Sequence, residues 1–383
     1  MKVYLDNSAT SWPKPEGVIK SITNLVQNYG GNPGRSGHEF SLRVARDVFD
    51  TRELVAGFIG APSSDNIIFT SNGTHALNIA IKGILKKNDH VIVSSVEHNA
   101  VMRPLRAIEK ERNLEITIVQ CDSFGQINPL DIEKSFKKNT KAVITVHGSN
   151  VTGTLLPIHE IGAICKKHGV LYMVDASQSV GLIPIHMQND CIDVLAFTGH
   201  KKLYAPPGIG CLCIGKDVVI DEHMQGGTGS NSENDFMPDF YPDKLEAGTK
   251  NTYGVVGMKA SLEFILANGI ENMRKEMMEK TGKMISGLKA IPGVTVYGSM
   301  NLKEKLPTIS FNIAGKIPGD VAHILDKDYG IMVRAGLHCS PNAHRTIGTF
   351  PTGTVRFGLG HFNTEEEIRY ALEVVAKIVA SSE

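Results

Sequence analysis

The chemistry of this chain starts from seven residues, Phe197-Thr198-Gly199-His200-Lys201-Lys202-Leu203, which follow the mostly apolar run 192–196. A primary amine at the mouth of a buried strand is less stable as an ammonium. The free amine is a nucleophile suited to Schiff-base formation with an aldehyde. A Lys-Lys pair is more often solvated charge, so the stretch gains meaning only if the rest of the chain builds a site around it.

A second reactive group is the thiol of Cys339, in the turn Gly336-Leu337-His338-Cys339-Ser340-Pro341, where exposure and the neighbouring His338 and Arg334 favour a thiolate. Cys121, Cys165, Cys191, Cys211 and Cys213 stand in or beside apolar or strand-like runs and read as small buried hydrophobes. Their spacing is not that of a disulfide framework. A metal site on His338, Cys339 and His344 lacks ligands, and with no H-E-x-x-H or paired C-x-x-C no metal is expected.

The elements that must position these groups alternate. Strands are predicted at 66–70, 90–94, 115–119, 141–147, 170–175, 191–197 and 209–214, with helices at 41–59, 101–111, 129–136 and 157–168. A further helix follows the turn Ser71-Asn72-Gly73-Thr74-His75 and places Leu77, Ala80, Ile81, Ile84 and Leu85 on one face. Such alternation implies a largely parallel sheet. Open sheets of this kind bind ligands beyond the C-terminal ends of their strands, where His98, Asn150, Asp175 and Gln178 fall. The strand–turn–helix at 66–85 leaves N–H groups free at a helix start, where a phosphate binds well. It is not a Walker A loop, and no G-x-G-x-x-G occurs, so nucleotide binding by either motif is unsupported.

The loop 29–38, with Arg35 and His38, fits a functional loop and a polar turn before the helix 41–59 about equally. Residues 226–242 are rich in turn formers and read as a mobile loop. Helices at 256–268 and 272–291 lead to short strands at 294–297, 308–313, 331–334 and 354–358, with helices at 318–328 and 364–379, an α+β domain of modest size. Met273, Met277, Met278 and Met284 are expected to pack a core.

A chain of 383 residues suits two domains, and its 40 basic and 40 acidic residues cancel, so no overall field favours nucleic acid or an anionic membrane. A small-molecule ligand is the better expectation. The N-terminus lacks a secretory apolar stretch and no segment approaches a membrane span, which predicts a soluble cytoplasmic protein with reduced cysteines.

In order, the pieces are Asp6-Asn7-Ser8-Ala9-Thr10, Gly73-Thr74, Glu97-His98-Asn99, His147-Gly148-Ser149-Asn150, Val174-Asp175-Ala176-Ser177-Gln178, Thr198-Gly199-His200-Lys201, Glu246-Ala247-Gly248-Thr249 and Arg334-Ala335-Gly336-Leu337-His338-Cys339. This ordered set resembles the cysteine desulfurase and selenocysteine lyase family, pyridoxal phosphate enzymes of the class V aminotransferase group, over 4–367. The resemblance implies an aspartate aminotransferase-like α/β fold (fold type I). Its large domain, 15–255, holds a mainly parallel mixed sheet, and 256–383 with the arm 1–14 form a smaller α+β domain. It makes Lys201 the Schiff-base lysine, with Lys202 the lesser candidate, and places Asp175 at the pyridine nitrogen.

On the same resemblance, Gln178 and Asn150 lie near the cofactor's phenolic oxygen, and His98 stacks on its ring and moves protons. Thr74, Thr198 and His200 bind the phosphate, joined by Thr249 from a second subunit of a homodimer. His75 departs from the acidic residue often found after that threonine. Arg356 takes the substrate carboxylate, its planar fork suiting a bidentate contact. Arg334 is a secondary contact and His38 lines the same pocket. Lys201 then takes the Cα proton, and Cys339 accepts sulfur from L-cysteine as a persulfide for an acceptor protein or thiol reductant, as in iron–sulfur cluster assembly. A selenocysteine lyase, or another lyase or transaminase, shares these residues and stays open.

Overall fold

Uninterrupted apolar strands separated by amphipathic helices require a sheet covered on both faces. The computed structural model describes residues 1–34 and 36–381, so Arg35 lies outside the described residues. The chain begins with β1 (Val3–Tyr4), α1 (Glu16–Asn28), α2 (Glu39–Ile59), β2 (Ile67–Thr70), α3 (Gly73–Ile84), β3 (His90–Ser94), α4 (Asn99–Glu109) and β4 (Glu115–Val119). It continues through α5 (Pro129–Lys134), β5 (Thr140–Val146), α6 (Ile158–His168), β6 (Leu171–Asp175), β7 (Val194–Thr198), β8 (Gly210–Ile214), α7 (Thr252–Asn268) and α8 (Ile270–Ala290). The remainder is β9 (Val294–Tyr297), β10 (Thr308–Ile313), α9 (Pro318–Lys327), β11 (Ile331–Met332), β12 (Arg334–Gly336), α10 (Pro341–Thr346), β13 (Thr354–Gly358) and α11 (Glu365–Ala380).

Seven strands in the order β2-β8-β7-β6-β5-β3-β4 form the main sheet, parallel except for β8, which is antiparallel to both neighbours. No helix separates β7 from β8, and a parallel return would need such a crossover. The mixed, mainly parallel sheet is therefore the one the resemblance implied. Tyr172, Val174, Leu195 and Phe197 pack on one side with Ile161, Met258 and Leu262, while Met173, Val194 and Ala196 face Ala76, Ala80 and Leu105 on the other.

A separate antiparallel sheet, β12-β13-β10-β9, shares its core with α8, α9 and α11 through Ile285, Phe311, Val321, Phe357 and Val374. Val3 and Leu5 of the N-terminal arm are fully buried in that core. The expected strand at 331–334 divides in two: β11 pairs in parallel with β1, and β12 pairs with β13. The arm supplies a partner from the far end of the chain, which no local pattern could announce. Helices α1 and α10 were not expected, while the segment 226–242 holds no helix or strand.

Candidate active site

The C-terminal ends of β2, β3, β5, β6 and β7 all lie on one edge of the main sheet, because each runs parallel to the others. Just beyond that edge is a cleft of about 480 Å³, lined by Thr74, His98, Asn150, Asp175, Gln178, Thr198, His200 and Lys201. Eight residues expected at the site from widely separated stretches thus meet in one place.

Lys201 and Lys202 are told apart by what surrounds them. Lys201 lines the cleft, and burial brings its ammonium down to about 8, with Arg356 and Arg334 adding to the effect and Asp175 opposing it. Lys202 is buried at 1% exposure and its Nζ donates to the Leu359 carbonyl at 2.6 Å, across to the smaller sheet. Its ammonium is also destabilised, to about 7, by burial. Acidity alone would favour Lys202; position favours Lys201.

Asp175 ends β6, is 3% exposed, and accepts a bond from the Ser177 N–H at 3.0 Å. Gln178 donates to the Ser8 carbonyl at 2.9 Å, so the N-terminal arm holds it, and its Oε1 is buried without a partner. Thr198 Oγ1 is likewise buried and unpartnered. At the start of α3, Asn72 caps the helix by accepting the His75 N–H at 2.9 Å, and the first-turn N–H groups have no intrahelical acceptor. A Cβ on Gly73 would sit 2.7 Å from Ser177 Oγ, so any larger residue here would have to turn that hydroxyl away. Free N–H groups, unsatisfied hydroxyl and amide oxygens and a carboxylate in one cleft fit an anionic, nitrogen-containing aromatic ligand.

His98 caps α4, its Nδ1 accepting the Ala100 N–H at 3.0 Å, and burial with nearby Lys201 drives its pKa to about 4. It is therefore a neutral imidazole at neutral pH. Beside it stands Glu97, a residue for which the sequence suggests no role. Fully buried, it accepts bonds from the Ser94 hydroxyl and the Val146 N–H, and its other oxygen has no partner. Burial raises it to about 8, so it is a neutral acid joining the ends of β3 and β5.

Cys339 is exposed, and it lines a second cavity that shares Thr74, His98 and Ala100 with the cleft. His338 and Cys339 both adopt left-handed backbone, φ 48° and 59°, a costly pair for residues other than glycine. Asn150 donates to the His338 carbonyl at 2.6 Å and accepts from Ser340 Oγ at 2.8 Å, while the Asn99 N–H meets the Cys339 carbonyl at 2.8 Å. The carboxamide of Asn150 is thereby committed to the cysteine turn. Arg334 Nη2 stands 3.4 Å from Cys339 Sγ. His338 departs from expectation: burial holds its pKa well below the ordinary value, so it is uncharged and lends no cation to the thiol.

Arg356 on β13 is 1% exposed, donating from Nη1 to the Asn150 carbonyl at 3.1 Å and from Nη2 to Asp6 Oδ1 at 2.8 Å. Of the expected residues, Cys339, Arg334, Arg356, His38 and Thr249 are not among those lining the cleft. His38 is exposed and caps α2, its Nδ1 accepting the Ser41 N–H at 3.3 Å. Thr249 is exposed, on a segment anchored by buried Glu246, which pairs with Arg52 through two bonds of 2.8 and 3.0 Å.

The family model for aminotransferase class V matches residues 3–370. The chain belongs to the class V aminotransferase family. It is 36% identical over 382 residues to a probable cysteine desulfurase of Methanothermobacter thermautotrophicus, covering 98% of this chain and 94% of that relative. It is 32% identical to the cysteine desulfurase IscS of Clostridium botulinum, covering 99% and 94%. Among solved structures, the apo cysteine desulfurase of Thermococcus onnurineus superimposes with a TM-score of 0.92 at 31% identity, covering 99% of this chain and 95% of that one. The cysteine desulfurase CsdA of Escherichia coli does so at 0.88 and 26% identity, covering 99% and 95%. Pyridoxal phosphate is the cofactor of this family, and the cleft's donors and its carboxylate fit that molecule's phosphate, oxygen and ring nitrogen.

Proposed function

We propose that the chain is a cysteine desulfurase, removing sulfur from L-cysteine to leave L-alanine and a persulfide on Cys339. The observation that carries the reading is the exposed Cys339 on a tightly held turn, lining a cavity that shares Thr74, His98 and Ala100 with the Lys201 cleft. An ordinary transaminase has no use for a thiol there.

When bound, the cofactor supplies an electron sink for the charge left at the substrate's Cα. Asp175 would favour the protonated ring nitrogen, Gln178 would meet the phenolic oxygen, Asn150, its carboxamide committed to the cysteine turn, would border that oxygen, and Thr74, Thr198 and His200 would hold the phosphate. Thr249, exposed on its anchored segment, completes that cup in a second subunit of a homodimer. Arg356 takes the substrate carboxylate, with Arg334 as a further contact. Lys201 takes the Cα proton, aided by an amine that is partly free at neutral pH. His98, uncharged, would stack on the ring and could pass a proton without adding charge. The Cys339 thiolate attacks the substrate sulfur; an S–S bond forms as the C–S bond breaks, and the carbon keeps the electron pair. Protonation of that carbon, Cβ, and return of the proton from Lys201 to Cα give alanine. A thiol then takes the outer sulfur, regenerating the Cys339 thiolate.

The division into a cofactor domain, 15–255, and a small domain of 1–14 with 256–383 is part of this reading, supported by the arm's burial in the smaller core. Among the described residues no helix is long and apolar enough to cross a membrane, which agrees with a cytoplasmic enzyme. The test is product analysis of the holoenzyme with L-cysteine and an acceptor thiol. Alanine and sulfide in equal amounts are expected, and Cys339→Ala should abolish sulfide release. A keto acid product, or parent-rate sulfide from that variant, refutes the mechanism. Turnover of selenocysteine alone would assign the chain as a selenocysteine lyase.

A further inference from the structure

The bond between Asp6 and Arg356 joins the N-terminal arm to the arginine that, on the reading above, receives the substrate carboxylate. A guanidinium carries five N–H donors. Here Nη1 is spent on the Asn150 carbonyl and Nη2 on Asp6, at 3.1 and 2.8 Å, while Nε is buried without a partner. Bonds at both terminal nitrogens stop the group turning about its last torsion, yet leave donors for a bidentate carboxylate.

Asp6 is itself rigidly delivered. Its backbone forms a bridge to Gly358, two residues along β13 from Arg356, and its carbonyl accepts the Ala9 N–H at 2.9 Å. Asn7 donates twice to the Gly358 carbonyl, from its backbone N–H at 3.0 Å and from its Nδ2 at 3.0 Å, so the arm cannot slide without breaking several contacts. Among the described residues Asp6 is also the carboxylate that forms an ion pair with Arg356, whose other electrostatic neighbours include the cations Arg334, Lys201 and Lys202 and the Cys339 thiol.

We propose that Asp6 is a positioning residue: it aims Arg356 at the α-carboxylate of the substrate, so that the N-terminal arm sets the preference for α-amino acids. The inference rests on the amino-acid reading of the cleft but not on desulfuration itself. An opposite role is physically possible, since a carboxylate on Arg356 can compete with the substrate's own. The two roles differ in sign. Losing an aiming residue weakens amino-acid binding, and losing a competitor strengthens it.

The experiment titrates holoenzyme with L-alanine, following the visible absorbance of the cofactor, and measures kcat and KM for L-cysteine in parallel. Asp6→Ala should weaken L-alanine binding and raise KM by roughly tenfold or more, the worth of a charge-assisted bond, with kcat within about threefold of the parent. Asp6→Asn keeps an acceptor oxygen and should recover most of the loss. In an Arg356→Gln background Asp6→Ala should add nothing, because coupled residues are not additive. Circular dichroism melting controls for folding. Additive losses in the double variant, tighter L-alanine binding in Asp6→Ala, or a fall in kcat with KM unchanged overturns the proposal. A parent that binds L-alanine yet releases no sulfide refutes the desulfurase reading and leaves this test legible, whereas a parent with no saturable response to L-alanine refutes both.

Discussion

The two adjacent lysines give the sharpest test, because their acidities and their positions point to different residues. Burial lowers Lys201 from 10.5 to about 8. At pH 7 roughly a tenth of that amine is then unprotonated, against about one in three thousand for an ordinary lysine, so the reactive fraction rises about 300-fold. Apoprotein mixed with pyridoxal phosphate should bind it covalently at a rate that climbs about tenfold per pH unit below 8 and levels above it. The assay is stopped-flow absorbance across pH 6–10, normalised to a blocked free lysine, followed by borohydride trapping and peptide mass mapping. Lys201→Ala should lose the adduct, and Lys202→Ala should keep it. A rate still climbing beyond pH 9, or an adduct on Lys202, would refute the argument that the cleft, rather than acidity, selects the lysine.

Two further outcomes follow from buried charges. Glu97 has a folded pKa of about 8 against 4.5 when unfolded. The native state therefore holds a proton the unfolded state has released, and the stability this contributes is full below pH 4.5 and lost as pH rises through 8. Glu97→Gln mimics the protonated acid, so relative to the parent it should gain roughly 1.4 kcal/mol per pH unit between 5 and 8 by urea denaturation; a constant difference would mean that Glu97 is ionised. Arg52→Ala leaves Glu246 buried, with Lys250 Nζ at 3.2 Å and the Phe69 N–H at 2.6 Å still facing its carboxylate, and should cost about 3–5 kcal/mol in the same assay. It should also loosen the segment bearing Thr249 and so weaken cofactor retention, measured by dialysis; unchanged retention would separate that anchor from the cofactor.

What could be read along the chain was whatever leaves a local trace. Buried strands are apolar runs that stop abruptly, so Asp175, Thr198 and the turn before His98 stood out as polar groups at strand ends, and the edge of a parallel sheet gathers them without further information. Partners far along the chain leave no such trace. Lys202 is set aside by the Leu359 carbonyl, and Arg356 is held by Asp6 at the opposite terminus. Residues 4–10 carry no local sign of where they dock, yet they also fix Gln178 through the Ser8 carbonyl. Burial misled the reading where it changed charge: His338 was expected to aid the Cys339 thiolate, but a desolvated imidazole is neutral, which leaves Arg334 as the cation at the sulfur. His38 shows the converse, since a histidine before a helix serves equally as its cap, and the cap is what its bond to the Ser41 N–H makes it in a single chain. Residue identity thus announced which groups carry chemistry, while their division of labour depends on contacts made only when the arm docks. The site should therefore be sensitive to changes in its first ten residues, far from Lys201 in sequence.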